Sequence, residues 1–132
     1  MALSIIKPEK LKTGDSIGVV APAASASLIS KRNLNLAKRK LESLGLNVVY
    51  GKNIFKHHKF SIDGIKERIN DLHSMFSSGK IKGVMAVIGG YSSNELLPYL
   101  NYELIRKNPK IFIGFSDITA LQNAIFKMTG LI

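Results

Sequence analysis

Apolar residues follow two rhythms along this chain. Four runs are short, almost continuously apolar and rich in β-branched residues: SIGVVA (residues 16–21), LNVVYG (46–51), GVMAVIGG (83–90) and KIFIGF (110–115). Runs of that length and composition read as strands buried on both faces, the pattern of a parallel sheet. Between them the apolar spacing changes to three and four. Leu34, Ala37, Leu41 and Leu44 form one stripe, with Ser30 placed to cap its start and Gly45 to end it. Ile62, Ile65, Ile69, Leu72 and Phe76 form a second stripe between Ser61 and Gly79. Both predict amphipathic helices. The segment YSSNELLPYLNYELIRKNP is less regular, because Pro98 has no amide hydrogen to give a continuous helix. It predicts a short helix, a break, and another turn near Tyr102 to Arg106. Helical spacing resumes in DITALQNAIFKM, after the fourth strand.

Strand and helix therefore alternate four times, which specifies an α/β fold: parallel strands, right-handed crossovers and helices on both sheet faces. A length of 132 residues suits one domain, and no repeat, low-complexity tract or linker divides it. Ligands of such sheets bind beyond the carboxyl ends of the strands, so the loops after Ala21, Tyr50, Ile88 and Phe115 should share one edge. The last residues, KMTGLI, are apolar with no polar tail. That is expected where a chain continues, or where a partner covers this end.

Composition then narrows the chemistry. With no cysteine there is no disulfide, thiolate nucleophile or cysteine-based zinc site, so covalent chemistry falls to oxygen or nitrogen nucleophiles. Nineteen Lys and Arg against nine Asp and Glu give a formal charge of +10, which raises the question of nucleic acid. Lys31, Arg32, Lys38, Arg39 and Lys40 share one predicted helix, but the other basic residues, Lys59 and Lys110 among them, are dispersed. No aromatic-interleaved strand accompanies them. The charge reads as solvated surface, with anionic ligands second and nucleic acid last. No run approaches the roughly 18 apolar residues of a membrane span, and the N-terminus lacks a signal-peptide pattern. A soluble cytoplasmic protein with no membrane partner is the expectation.

Two loops at the expected ligand edge carry candidate chemistry. In IGFSDITAL, Ser116 falls at the joint between the fourth strand and the last helix. Such an elbow can lift a hydroxyl clear of the backbone while helix-opening amides face the charge developing on an attacked carbonyl. Gly114-Phe115-Ser116-Asp117-Ile118 lacks the final glycine of the G-x-S-x-G form, so a helix-capping serine stands as the other local reading. In IGGYSSNE, two glycines let backbone amides approach a ligand and the serines can cap a helix. Neither a P-loop nor a dinucleotide fingerprint is present.

A serine nucleophile needs a base within hydrogen-bond reach. The candidates are His57, His58 and His73. His73 lies beside the second helical stripe and reads as a surface residue. His57 and His58 follow the second strand, which in the common order 2-1-3-4 lies three spacings from the fourth, about 14 Å away. They are poor bases for Ser116. No serine–histidine–acid triad is evident, and the paired histidines lack the carboxylates of a metal motif.

Three stretches carry a family resemblance: KPEKLKTGDSIGVVAPAA, then KERINDLHSMFSSGKIKGVMAVIGGYSSNELLPYL, and finally NPKIFIGFSDITALQNAIFKMTGL. Together they resemble the N-terminal domain of the LD-carboxypeptidase family, which includes the microcin C immunity peptidases. The resemblance spans nearly the whole chain, and the pairing of GGYSSNELLPYL with GFSDITAL is its most specific part. With the four strand–helix units, it implies a flavodoxin-like parallel sheet. It implies that residues 1–132 are a nucleophile-bearing N-terminal domain, with Ser116 as nucleophile and the main-chain amides of Gly90 and Asp117 as oxyanion hole. The family's histidine and glutamate partners lie in a C-terminal domain that nothing here matches. Murein peptides or peptidyl-nucleotide antibiotics are the implied substrates, the full protein is implied to be a cytoplasmic homodimer, and no metal or other cofactor is implied. The competing reading is a non-catalytic module that binds peptides or nucleotides in the same sheet-edge pocket.

Overall fold

The computed structural model describes residues 4–57 and 61–132. Its elements run β1 (Ser16–Val20), α1 (Lys31–Ser43), β2 (Asn47–Tyr50), α2 (Ile62–Ser77), β3 (Ile81–Ala86), α3 (Tyr102–Lys107), β4 (Ile111–Ile113) and α4 (Thr119–Thr129). Short 3-10 turns occupy Ala26–Leu28, Ser93–Tyr99 and Ser116–Ile118. All four strands pair in parallel in the order β2-β1-β3-β4, the flavodoxin-like α/β arrangement expected from the alternation.

Right-handed crossovers put α1 on one sheet face and α2 with α3 on the other, where α4 packs against α3. The main core lies on that second face, around Leu72, Phe76, Val84, Leu96, Ile105 and Leu121. Phe76 meets Phe112 of β4 edge to face, with ring centroids 6.0 Å apart. Of the α2 stripe, Ile69, Leu72 and Phe76 are buried as its spacing predicts, Ile65 is partly buried, and Ile62 at the first turn is exposed. Ser61 caps this helix, its side chain accepting from the Gly64 amide, and Ser30 does the same for α1 through Asn33. Gly45 turns the chain after α1 at φ +82.

Other segments depart from their patterns. On α1 only Leu34 and Leu41 of the stripe are even half-buried, and Leu44 is exposed. Among the described residues, the main packing partner of this helix is edge strand β2. The GVMAVIGG run is not one strand. Its ladder starts at Ile81 and ends at Ala86, and residues 87–90 instead enter the loop that forms the ligand edge. Pro98 sits inside a 3-10 turn, and the break falls after it, where the Asn101 side chain caps α3 by accepting from the Leu104 amide. Lys110, grouped above with dispersed surface charge, is buried. Its ammonium donates to the carbonyls of Met75 (2.7 Å) and Ser78 (2.6 Å) at the end of α2, a favourable place for a cation. Burial, and then the charge of Lys82, lower its pKa to about 8. His58 and Lys59 lie outside the described residues. Among those described, no helix is long and apolar enough to cross a membrane.

His73 is a half-buried part of the packing rather than a free surface residue. Its Nε2 accepts from the Asn101 amide at 2.9 Å, just before α3. That bond needs the ring lone pair, and burial holds the pKa below the ordinary 6.5. The unfolded chain therefore takes up this proton more readily than the folded one. The stability His73 contributes is complete above about pH 6.5 and is lost as pH falls through the lower folded value. Denaturant titrations from pH 5 to 8 should show that fall in the wild type and a flatter profile in His73→Gln. Equal slopes would mean that His73 is not linked to folding.

Candidate active site

Three loops meet at the carboxyl edge of the sheet. The segment after β1 reaches the segment after β3 through a hydrogen bond from the Ala24 amide to the Gly89 carbonyl, 3.1 Å. Space there is tight: a Cβ at Gly90 would lie 2.9 Å from the Ala24 nitrogen and 3.1 Å from the Ala23 Cβ. Gly89 also neighbours the elbow after β4, since a Cβ built on it would lie 3.3 Å from the Ser116 Cβ and 3.5 Å from Oγ. Glycine at both positions lets the three backbones close together.

At that elbow Phe115 is fully extended (φ −150°, ψ −177°) and Ser116 then turns to φ +59°. Among the described residues it is the one non-glycine with a positive φ. The left-handed region costs an L-residue about 1–2 kcal/mol, and such strain gathers where geometry serves function. A close approach locks the turn, because any side chain on Gly114 would run into Ile118. Gln122 adds a bond from Nε2 to the Gly114 carbonyl, 3.0 Å.

The helix-capping reading of Ser116 fails here. No side-chain cap bond is made at the start of the Ser116–Ile118 turn or of α4, and the residue is exposed. Asp117 is held instead: its Oδ2 accepts from the Ser93 amide at 2.9 Å, and its carbonyl accepts from the Ser93 hydroxyl at 2.7 Å. This pair ties the elbow to the IGGYSSN loop. Capping also fails for Ser92, whose hydroxyl accepts from Arg68. Exposed aromatic side chains follow or precede the key positions, Tyr91 after Gly90 and Phe115 before Ser116.

No imidazole joins this group among the described residues. His57 lies 3.5 Å from the Ser27 hydroxyl, and His73 is engaged at Asn101. The observed strand order keeps the β2 end of the sheet on the far side from β4. No three His, Asp or Glu side chains among the described residues gather as a metal-ligand set. A cavity of about 530 Å³, lined in part by Lys12, Ile81, Lys82 and Lys110, lies at the opposite, amino-terminal edge of the sheet. It has no part in this chemistry.

With this edge in view, residues 17–132 match the family model described as the LD-carboxypeptidase N-terminal domain. The chain belongs to the LD-carboxypeptidase family. A crystal structure of an MccF-like protein from Bacillus anthracis superposes with a TM-score of 0.91 at 45% identity, over 96% of this chain and 38% of that one. The microcin C7 self-immunity protein MccF of Escherichia coli is 38% identical over 122 residues, 92% of this chain and 36% of its own. A structure of MccF in complex with glutamyl sulfamoyl guanosine superposes with a TM-score of 0.86 at 36% identity, over 93% of this chain and 37% of that one. The murein tetrapeptide carboxypeptidase of Pseudomonas aeruginosa is 33% identical over 111 residues, 83% of this chain and 36% of its own. This LD-carboxypeptidase domain thus spans well under half the length of the relatives it matches.

Sequence reasoning did not single out Arg68 or Ser93, which hold the loops of this LD-carboxypeptidase domain together. A signal for Arg68 exists. It stands three residues after Ile65 and four before Leu72, so a guanidinium occupies the apolar face of α2, where it must find buried acceptors.

Proposed function

We propose that this chain is the nucleophile-bearing domain of a serine peptidase, with Ser116 as nucleophile and the amides of Gly90 and Asp117 as the oxyanion hole. The observation that carries the reading is the strained, exposed Ser116 at φ +59° beside the double glycine. The peptide plane adds support. Because the Gly89 carbonyl points at Ala24 on the β1 side, the trans-related Gly90 amide points away from it, toward the β4 side where Ser116 sits.

Attack by Ser116 Oγ on an amide carbonyl carbon would place negative charge on the carbonyl oxygen, within reach of those amides. Collapse expels the amine, protonated by the base that first took the serine proton, and leaves an acyl-enzyme that water hydrolyses. The base is a histidine, oriented by a glutamate, on a downstream domain. The whole protein acts as a cytoplasmic homodimer on a compound bearing a terminal amino acid. The relatives' own ligands, a murein tetrapeptide and a glutamyl sulfamoyl nucleoside, share that feature.

The test uses the protein with its downstream domain, given murein tetrapeptide and a glutamyl sulfamoyl nucleoside side by side and together. Ser116-dependent release of the terminal amino acid from one of them supports the peptidase and names its substrate. Binding of either with no hydrolysis would make the chain part of a non-catalytic module.

A further inference from the structure

Arg68 is buried, 2% exposed, and its guanidinium reaches two other chain segments from α2. Its Nη1 lies 3.2 Å from the Pro22 carbonyl, the Ser92 carbonyl and the Ser92 hydroxyl. Its Nη2 pairs with Glu95 Oε2 at 2.8 Å, and Nε donates to the Gly64 carbonyl. Two of these acceptors bracket the proposed oxyanion loop. Pro22 is two residues before Ala24, which donates to the Gly89 carbonyl, and Ser92 is two residues after Gly90.

From this clamp we infer that Arg68 is a positioning residue that fixes the orientation of the Gly89–Gly90 peptide and so keeps the Gly90 amide aimed at the oxyanion position. The inference rests on the function proposed above. Its physical core is a peptide flip. Two consecutive glycines have little steric barrier to exchanging the direction of the peptide between them, and a flip would present the Gly89 carbonyl oxygen where the Gly90 N–H should be. A carbonyl there repels the developing oxyanion. One bond, Ala24 to Gly89, opposes the flip directly, and Arg68 holds both chain segments that make that bond. Ser93 and Asp117 secure the loop only farther along, on the elbow side. A planar group with donors on three nitrogens can satisfy these dispersed acceptors at once, which an ammonium cannot.

The experiment compares Arg68→Lys, Arg68→Ala and Glu95→Gln in the protein carrying its downstream domain. Arg68→Lys keeps the cation and is the variant expected to fold without difficulty. It should lower kcat by about 10²- to 10³-fold, the scale of losing one oxyanion donor, with KM changed less than about threefold. Glu95→Gln leaves the Pro22 and Ser92 bonds in place and should retain kcat within about threefold. Methylguanidinium should restore part of the kcat of Arg68→Ala and do nothing for the wild type. In the 132-residue chain, ¹⁵N spectra of Arg68→Lys should broaden or double the Gly90 amide signal while signals of α4 stay put. Reduced thermal stability with unchanged kcat, or a single undisturbed Gly90 signal, would reduce Arg68 to a structural clamp and overturn the inference. A wild type without Ser116-dependent hydrolysis would remove the functional reading itself, and this inference with it.

Discussion

Ser116→Ala, made in the protein with its downstream domain, should lower kcat for amide hydrolysis by about 10⁴- to 10⁶-fold, the range found when a serine nucleophile is deleted. KM should change little, because the hydroxyl contributes to bond making rather than to holding the substrate. The expectation follows from the elbow. Ser116 is exposed and makes no capping bond, so its removal disturbs no packing. Its φ of +59° provides a second, opposite signature. Glycine relieves left-handed strain of about 1–2 kcal/mol and adds about 0.5–1 kcal/mol of unfolded-state freedom, so Ser116→Gly should abolish turnover while stabilising the fold slightly, by about 0.5 kcal/mol. A residue serving only structure would not separate activity from stability in this way. Retained hydrolysis in Ser116→Ala would exclude the nucleophile assignment, and a destabilised Ser116→Gly would exclude the strain.

The second large effect concerns the chain by itself. Residues 1–132 should fold yet turn over murein tetrapeptide at less than about one thousandth of the rate of the two-domain protein. A serine hydroxyl is a weak nucleophile near neutral pH until a base takes its proton. Among the described residues that base is missing: His57 stands by Ser27 and His73 is held by Asn101. Asp117 orients neither His57 nor His73, and its Oδ2 accepts instead from the Ser93 amide. An assay of both proteins, each with and without Ser116→Ala, settles the matter. Comparable Ser116-dependent rates would mean that a base within the 132 residues had been overlooked.

Much of this architecture was legible before any coordinates. Short apolar runs and stripes at intervals of three and four follow from the two periodicities of the backbone, so the four strand–helix units and the caps at Ser30 and Ser61 could be read directly. The elbow at Ser116 could also be located, because strand pattern gives way to helix pattern there. Local pattern is silent where several segments must meet. Whether Ser116 capped a helix or stood free depended on its φ and on Gly114 packing against Ile118. Residues 87–90 looked like strand because they are apolar and glycine-rich, but Ala24 and Arg68 draw that region into a loop. Lys110 counted as surface charge until the end of α2 offered it two carbonyls. His73 likewise passed for a surface residue until the segment before α3 gave it the Asn101 amide. The last three outcomes turn on partners 20 or more residues apart in the chain. Periodicity encodes which face of an element is apolar, whereas the partner of a buried polar group is decided only when distant segments close over it and water is no longer there to serve.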